Sequence, residues 1–321
     1  MLPSPFPNYT KTIKENFTNQ YNTKLVGDSD KVEQLIIEQE QKIFHLAKKM
    51  GIINPENSIG LIFGYRKNFL SANVRTDLPS TWLFYFNLQP YLINVPTLWM
   101  TTWNLQLSKE KDLSLSTSYI DEAGNIANVS FDKDNSEKML PSIEDQEFIY
   151  AHELGHIKYS HSHIRTSVAT CYIAANSYIL SYCLSKAAPM LPRILKPLSF
   201  LLPFTLGSVG YVEIEKRFKI YDPITVRYSR FCEKQADLEA AKATSAQAGI
   251  NWFERVKTAE SILDETLQYL KEEYSFVVPK RQISSLEKAL IALGWSYETH
   301  PSQDERIAYL KAFQQTEEKK I

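Results

Sequence analysis

"HELGHIKYSHSH", residues 152–163, holds four of the chain's six histidines. It lies within a longer helical pattern. Ser142 with Asp145 three residues on makes a capping-box-like start, and apolar Phe148, Ile149, Ala151, Leu154 and Ile157 recur behind it. On a helix, residues i and i+4 share a face, so His152 and His156 can reach one metal ion together. Zn²⁺ suits such a pair, because neutral imidazole is a borderline ligand and the ion imposes little geometry of its own. Glu153 lies about 100° round the helix from His152. It need not ligate; it can take a proton from a water whose pKa the metal lowers toward about 7. Gly155 costs about 1 kcal/mol relative to Ala at mid-helix, which predicts a close approach by another element.

A catalytic zinc needs three protein ligands and an open position. A histidine six residues past His156 would complete one common arrangement, but Ser162 stands there. His163 falls near the face of the pair but two turns away, and His161 points elsewhere. The better candidate lies in "RYSRFCEKQADLEAAK". Glu233 and Asp237 are four apart and share a helical face. Glu233 can bind the metal, while Asp237 can accept a hydrogen bond from the far nitrogen of a ligating histidine.

Working outward, residues 1–29 are polar and Pro-containing and read as an irregular arm. A helix follows, with Ser29 as cap candidate, apolar Val32, Leu35, Ile36, Ile43, Leu46 and Met50 on one face, and Gly51 as its stop. His45 on that helix reads as a surface or packing residue. From about 58 to 132, "SIGLIFGY", "TWLFYFNL" and "LSLSTSYIDEAGNIANVSF" are rich in β-branched and aromatic residues, the last as a hairpin around Asp121–Asn125. "YLINVPTLWMTTW" is ambiguous between strand and helix. Residues 166–185 and 198–212 are uncharged and apolar, flanking a basic, Pro-rich linker. Asp222-Pro223 opens a helix to about Thr244. Further helices are expected near 251–274, near 283–294, and after Pro301 with Ser302 and Glu305 as cap. Residues 313–321 read as a frayed tail. The expected class is α+β, mostly helical, with a small antiparallel sheet before the HExxH helix.

Composition narrows the classes. With 321 residues, 44% of them hydrophobic, the chain can bury a sizeable core. A net charge of -1 gives no footing for nucleic acid. Cys171, Cys183 and Cys232 form no CxxC pair and suit a reducing compartment. "MLPSPFPNYTKTIKENF" has no basic region followed by an apolar run, so no secretory signal peptide is expected.

Three motifs together resemble the zinc metallopeptidases that include the heat-shock protease HtpX and the CAAX prenyl proteases. They are "HELGHIKYSH", "SRFCEKQAD" and "THPSQDERI", in that family's order. The likeness covers 140–312 well and 55–140 poorly. It implies a zincin-like (gluzincin) peptidase domain over 30–312 with one Zn²⁺ per chain, held by His152, His156 and Glu233. Glu153 would be the general base and then the acid toward the leaving amine, and Asp237 would support a ligand. His300 would lie near the metal, stabilising the oxyanion or transiently blocking the fourth position. Arg306 would anchor that segment. The implied activity is endoproteolysis, with a polypeptide substrate held as an extended strand on a sheet edge.

The resemblance also places two apolar segments between the HExxH helix and the Glu helix, here an inserted helical hairpin over 166–213. The segment 198–212 is short for a span, which needs about 20 residues. The chain is thus expected to be cytoplasmic, or membrane-associated through 166–213 with a cytoplasmic catalytic domain. The rival reading is a catalytically silent zinc-fold binding module at a membrane surface.

Overall fold

A computed structural model describes residues 29–55, 59–64, 73–75, 91–96, 116–120, 124–161, 221–274, 283–293 and 296–319, with isolated helical positions between 164 and 182. The described chain is mostly helical. It divides into two units. The first comprises Met1–Tyr159, Lys234–Lys280 and Ser302–Ile321; the second comprises Ser160–Glu233 and Arg281–Pro301.

In the first unit, α1 (Ser29–Lys49) begins at Ser29 itself and buries Ile43, Leu46, Ala47 and Met50, leaving His45 exposed. Its end is set by Gly51, whose φ of +82° is open to glycine at no steric cost. The Gly51 N–H bonds the Lys48 carbonyl at 3.0 Å and the Ile52 N–H bonds the Ala47 carbonyl at 2.9 Å, a Schellman closure.

Strands β1 (Ile59–Gly64), β2 (Asn73–Arg75) and β3 (Tyr91–Pro96) form a sheet of order β1-β3-β2. The sheet is mixed, where a small and mostly antiparallel one is expected. β1 runs parallel to β3, from Ile59↔Tyr91 to Gly64↔Pro96, and only β2 is antiparallel to it. Strand direction is decided by the long connection, and the stretch 65–90 is ample for the crossover a parallel pair demands. β4 (Ser116–Ile120) and β5 (Ile126–Ser130) form the expected antiparallel hairpin, with Gly124 at φ +86° in its turn. "TWLFYFNL" lies outside the described residues.

A helix not anticipated, α2 (Lys133–Met139), follows; Asp132 caps it by accepting from the Asn135 N–H at 2.8 Å. α3 (Ile143–Lys158) carries the HExxH run and starts as expected. Ser142 Oγ accepts from the Asp145 N–H at 3.1 Å, while Asp145 Oδ2 accepts from the Ser142 N–H at 2.8 Å. The same Asp145 oxygen takes the Arg255 Nε–H at 2.9 Å, and Arg255 Nη1 reaches the Glu137 carbonyl at 3.2 Å. One guanidinium therefore ties α2 and the start of α3 to α5 (Ala246–Tyr274).

The main core gathers Phe148, Leu154, Phe253, Ile307 and Leu310 from α3, α5 and α7 (Gln303–Glu318). Gly249 allows that packing. A Cβ there would sit 2.5 Å from the Phe148 ring and 2.9 Å from Leu310. α7 is capped by Ser302 and Glu305 as expected, but it continues to Glu318. Residues 313–318 therefore belong to the helix, which corrects the reading of a frayed tail.

In the second unit, Asp222 starts α4 (Pro223–Ala243), its Oδ1 accepting from the Ile224 and Thr225 N–H groups at 2.9 and 3.0 Å. Tyr221 pairs with Ser296 through two backbone bonds of 2.9 and 3.0 Å. α6 (Ser285–Ala292) has a Ser284–Glu287 capping box, and the Tyr297 hydroxyl donates to buried Glu287 at 3.0 Å. The division between the units falls between Glu233 and Lys234, within the unbroken α4.

The arm 1–28 lies outside the described residues, as do Cys183 and nearly all of the expected hairpin over 166–213. Among the described residues, no helix is long and apolar enough to cross a membrane.

Candidate metal centre

Two helices build the centre. α3 presents His152, Glu153 and His156; α4 presents Glu233 and, one turn on, Asp237. They touch where α3 has no side chain. A Cβ on Gly155 would meet the Ala236 Cα at 3.0 Å, its carbonyl oxygen at 3.2 Å and its Cβ at 3.3 Å. This is the close approach that the mid-helix glycine predicts. Gly155→Ala would gain helix propensity of about 1 kcal/mol, but overpacking costs about 1–3 kcal/mol and here the obstacle is helix backbone. The variant is expected to melt below the wild type and to bind zinc more weakly, because Ala236 adjoins Asp237. A melting temperature at or above that of the wild type would show that the helices can part freely.

The imidazoles converge. His152 Nε2 faces His156 Nε2 at 3.0 Å, with the rings at 83°. The other nitrogen of His152, Nδ1, lies 2.7 Å from Asp237 Oδ1. A carboxylate at that distance favours the tautomer with its ring proton at Nδ1, which would leave Nε2 a lone pair for a metal. Two nitrogens bound to one tetrahedral zinc at 2.0–2.1 Å stand about 3.3 Å apart, so the spacing fits a shared ion. Glu233 completes the group: the ligand atoms of His152, His156 and Glu233 all lie within 4.8 Å of one another. His152, Glu153 and Glu233 are buried, whereas His156 is half-buried. Two neutral imidazoles with one carboxylate are the donor set of a catalytic zinc that keeps a position open.

Asp237 is fully buried and holds more than His152. Arg306 grips it with a fork, Nε to Oδ2 at 2.8 Å and Nη2 to Oδ1 at 2.6 Å, and the Tyr309 hydroxyl also donates to Oδ2. Burial is the largest single influence and pushes the Asp237 carboxyl up. The charges of Arg306 and His152 and their hydrogen bonds outweigh it and bring the pKa down to about 2. Arg306 itself stacks on the Phe253 ring, 4.1 Å from its centroid.

A second buried carboxylate, Glu239, pins the end of α3. Lys158 donates to it, as does Lys242 at 2.8 Å. Burial raises its pKa, but the hydrogen bonds from Lys158, Lys242 and Tyr159 prevail and lower it to about 2. Both carboxylates thus titrate lower in the folded chain than in the unfolded one. Their contribution to stability is full above about pH 4.5, the ordinary range for a carboxylate, and is lost as pH falls toward 2. Melts of the metal-free chain from pH 5 to 2.5 are expected to show this fall, and Glu239→Gln to flatten it. A Glu239→Gln profile as steep as the wild type would remove Glu239 as a contributor.

His300 Nδ1 lies 3.1 Å from Glu233 Oε2, with its side chain 64% exposed. Arg306 makes its ion pair with Asp237. His161 is buried and His163 lies outside the described residues. Sequence reasoning missed Tyr309. Its one signal was the spacing of three residues from Arg306, which puts both on one face of α7.

One buried and one half-buried imidazole converge with a buried carboxylate from two packed helices, a group that could hold a metal ion. The chain belongs to peptidase family M48, whose model matches residues 137–314. Members of that family are zinc-dependent peptidases, and their substrates are polypeptides. No curated protein and no solved structure matches the chain.

Proposed function

We propose that this chain is a zinc endopeptidase of the gluzincin type, in which His152, His156 and Glu233 hold a single Zn²⁺ and Glu153 moves the proton. The observation that carries this reading is the convergence of His152 Nε2, His156 Nε2 and the Glu233 carboxylate while Asp237 occupies the far nitrogen of His152.

Zinc bound there would polarise the scissile carbonyl and lower the pKa of a water toward about 7. The chain's own residues do the rest. Glu153 directly follows the first ligand and is buried. It accepts the proton of the attacking water and then delivers it to the leaving amine. His300, beside Glu233, would donate to the developing oxyanion. The extended substrate would pair with a strand edge. β2 is the candidate, because among the described residues it is an edge of its sheet and packs against α3.

The test is metal content and cleavage of unfolded casein by protein purified without chelators. One equivalent of zinc is expected, with cleavage lost on chelation and restored by added zinc. Zinc-free protein would remove the metal reading. Zinc-loaded protein that cleaves no extended polypeptide would turn the assignment to a silent binding module.

A further inference from the structure

The bonding around Asp237 includes one group that neither the metal ligands nor the proton transfer uses. We propose that Tyr309 is a positioning residue for the metal centre: its hydroxyl completes the hydrogen bonding of Asp237 and so fixes the ring of His152. The inference rests on the zinc reading above.

Each oxygen of Asp237 serves two partners. Oδ1 takes Arg306 Nη2 at 2.6 Å and faces His152 Nδ1 at 2.7 Å. Oδ2 takes Arg306 Nε at 2.8 Å and the Tyr309 hydroxyl. A carboxylate offers about four lone-pair sites, and here every one is used. The terminal torsion of an aspartate is broad, so its rotamer preference alone does not fix the plane of the carboxylate. Two donors on each oxygen do. Without the hydroxyl, Oδ2 keeps one donor against two on Oδ1. No bulk water can take the vacated place, because Asp237 has no exposed surface.

Tyr309 is itself held. Its ring packs against the main core, and the Lys234 ammonium lies 5.5 Å from its centroid. Lys234 precedes Asp237 by three residues on α4, so the ring is clamped by the helix that carries its acceptor. Burial, then the negative charge of Asp237, pushes the Tyr309 hydroxyl's pKa well above its ordinary value, which keeps it a donor.

Tyr309→Phe removes the hydroxyl and keeps the ring. In the full chain, zinc affinity measured by competition with a chelator is expected to fall about tenfold, the low end of what losing a ligand's own hydrogen-bond partner costs. The visible bands of the cobalt-substituted protein should shift as the His152 ring relaxes. The metal-free melting temperature should fall as well, because the ring packing stays but the buried Oδ2 loses a donor that no water replaces. A variant that binds zinc within twofold of the wild type, with an unchanged cobalt spectrum, would overturn the proposal whatever its melting temperature. Wild-type protein that binds no zinc would overturn the metal reading itself, and this inference with it.

Discussion

Glu153→Gln is expected to keep zinc and lose cleavage. The exchange preserves size, and the residue is buried on a helix whose neighbours Tyr150, Ala151 and Leu154 have no exposed surface. An isosteric amide therefore leaves the packing of α3 in place. His152, His156 and Glu233 are untouched, so the donor set and zinc content should match the wild type. The amide has no lone pair basic enough to take a proton from water. A positioned general base contributes about 10²–10⁴-fold, and casein cleavage is expected to fall by at least that range. Zinc analysis and cleavage rates on the same preparations check both halves. Cleavage within tenfold of the wild type would show that the proton goes elsewhere. Loss of zinc would show that Glu153 supports the ligand set.

How much of this was legible in the sequence follows from the range over which each feature is determined. Helix starts at Ser142, Pro223 and Gln303 are set by chemistry within a few residues, and each cap stands where the sequence puts it. The direction of β1 against β3 is not local, since nothing in either strand encodes it. α2 was missed because it has seven residues and buries only Ser136 and Met139, too little for periodicity to show. The end of α7 reads as a tail because its residues are polar. Glutamine, glutamate and lysine are good helix formers, and the helix continues through them. At the centre, the i, i+4 spacing of His152 with His156 and of Glu233 with Asp237 puts each pair on one helical face. Which buried group closes the arrangement was illegible: Tyr309 is 72 residues from Asp237, and only folding joins them.

Asp237→Asn is expected to produce the largest loss of stability. The carboxylate has no exposed surface and is the charge partner of Arg306, whose side chain is only 11% exposed. An asparagine replaces one acceptor oxygen with a donor. Turned one way, that donor meets Arg306 Nη2 and His152; turned the other way, it meets Arg306 Nε and the Tyr309 hydroxyl. Neither orientation is satisfied, and the guanidinium is left buried without its counter-charge. Breaking such a pair from one side costs about 3–5 kcal/mol. For a domain this size that is a fall in melting temperature on the order of 10 °C. Zinc affinity should fall about 10–100-fold as well, because His152 loses the anion that fixes its tautomer. The two losses have different origins, and a second substitution separates them. Asp237→Leu with Arg306→Met removes both charges, and replacing a buried pair with apolar side chains is often neutral. The double variant should recover most of the stability and none of the metal affinity. If zinc binding recovered together with the melting temperature, Asp237 would serve only to neutralise Arg306, and the orientation of His152 would have to come from its packing on α3.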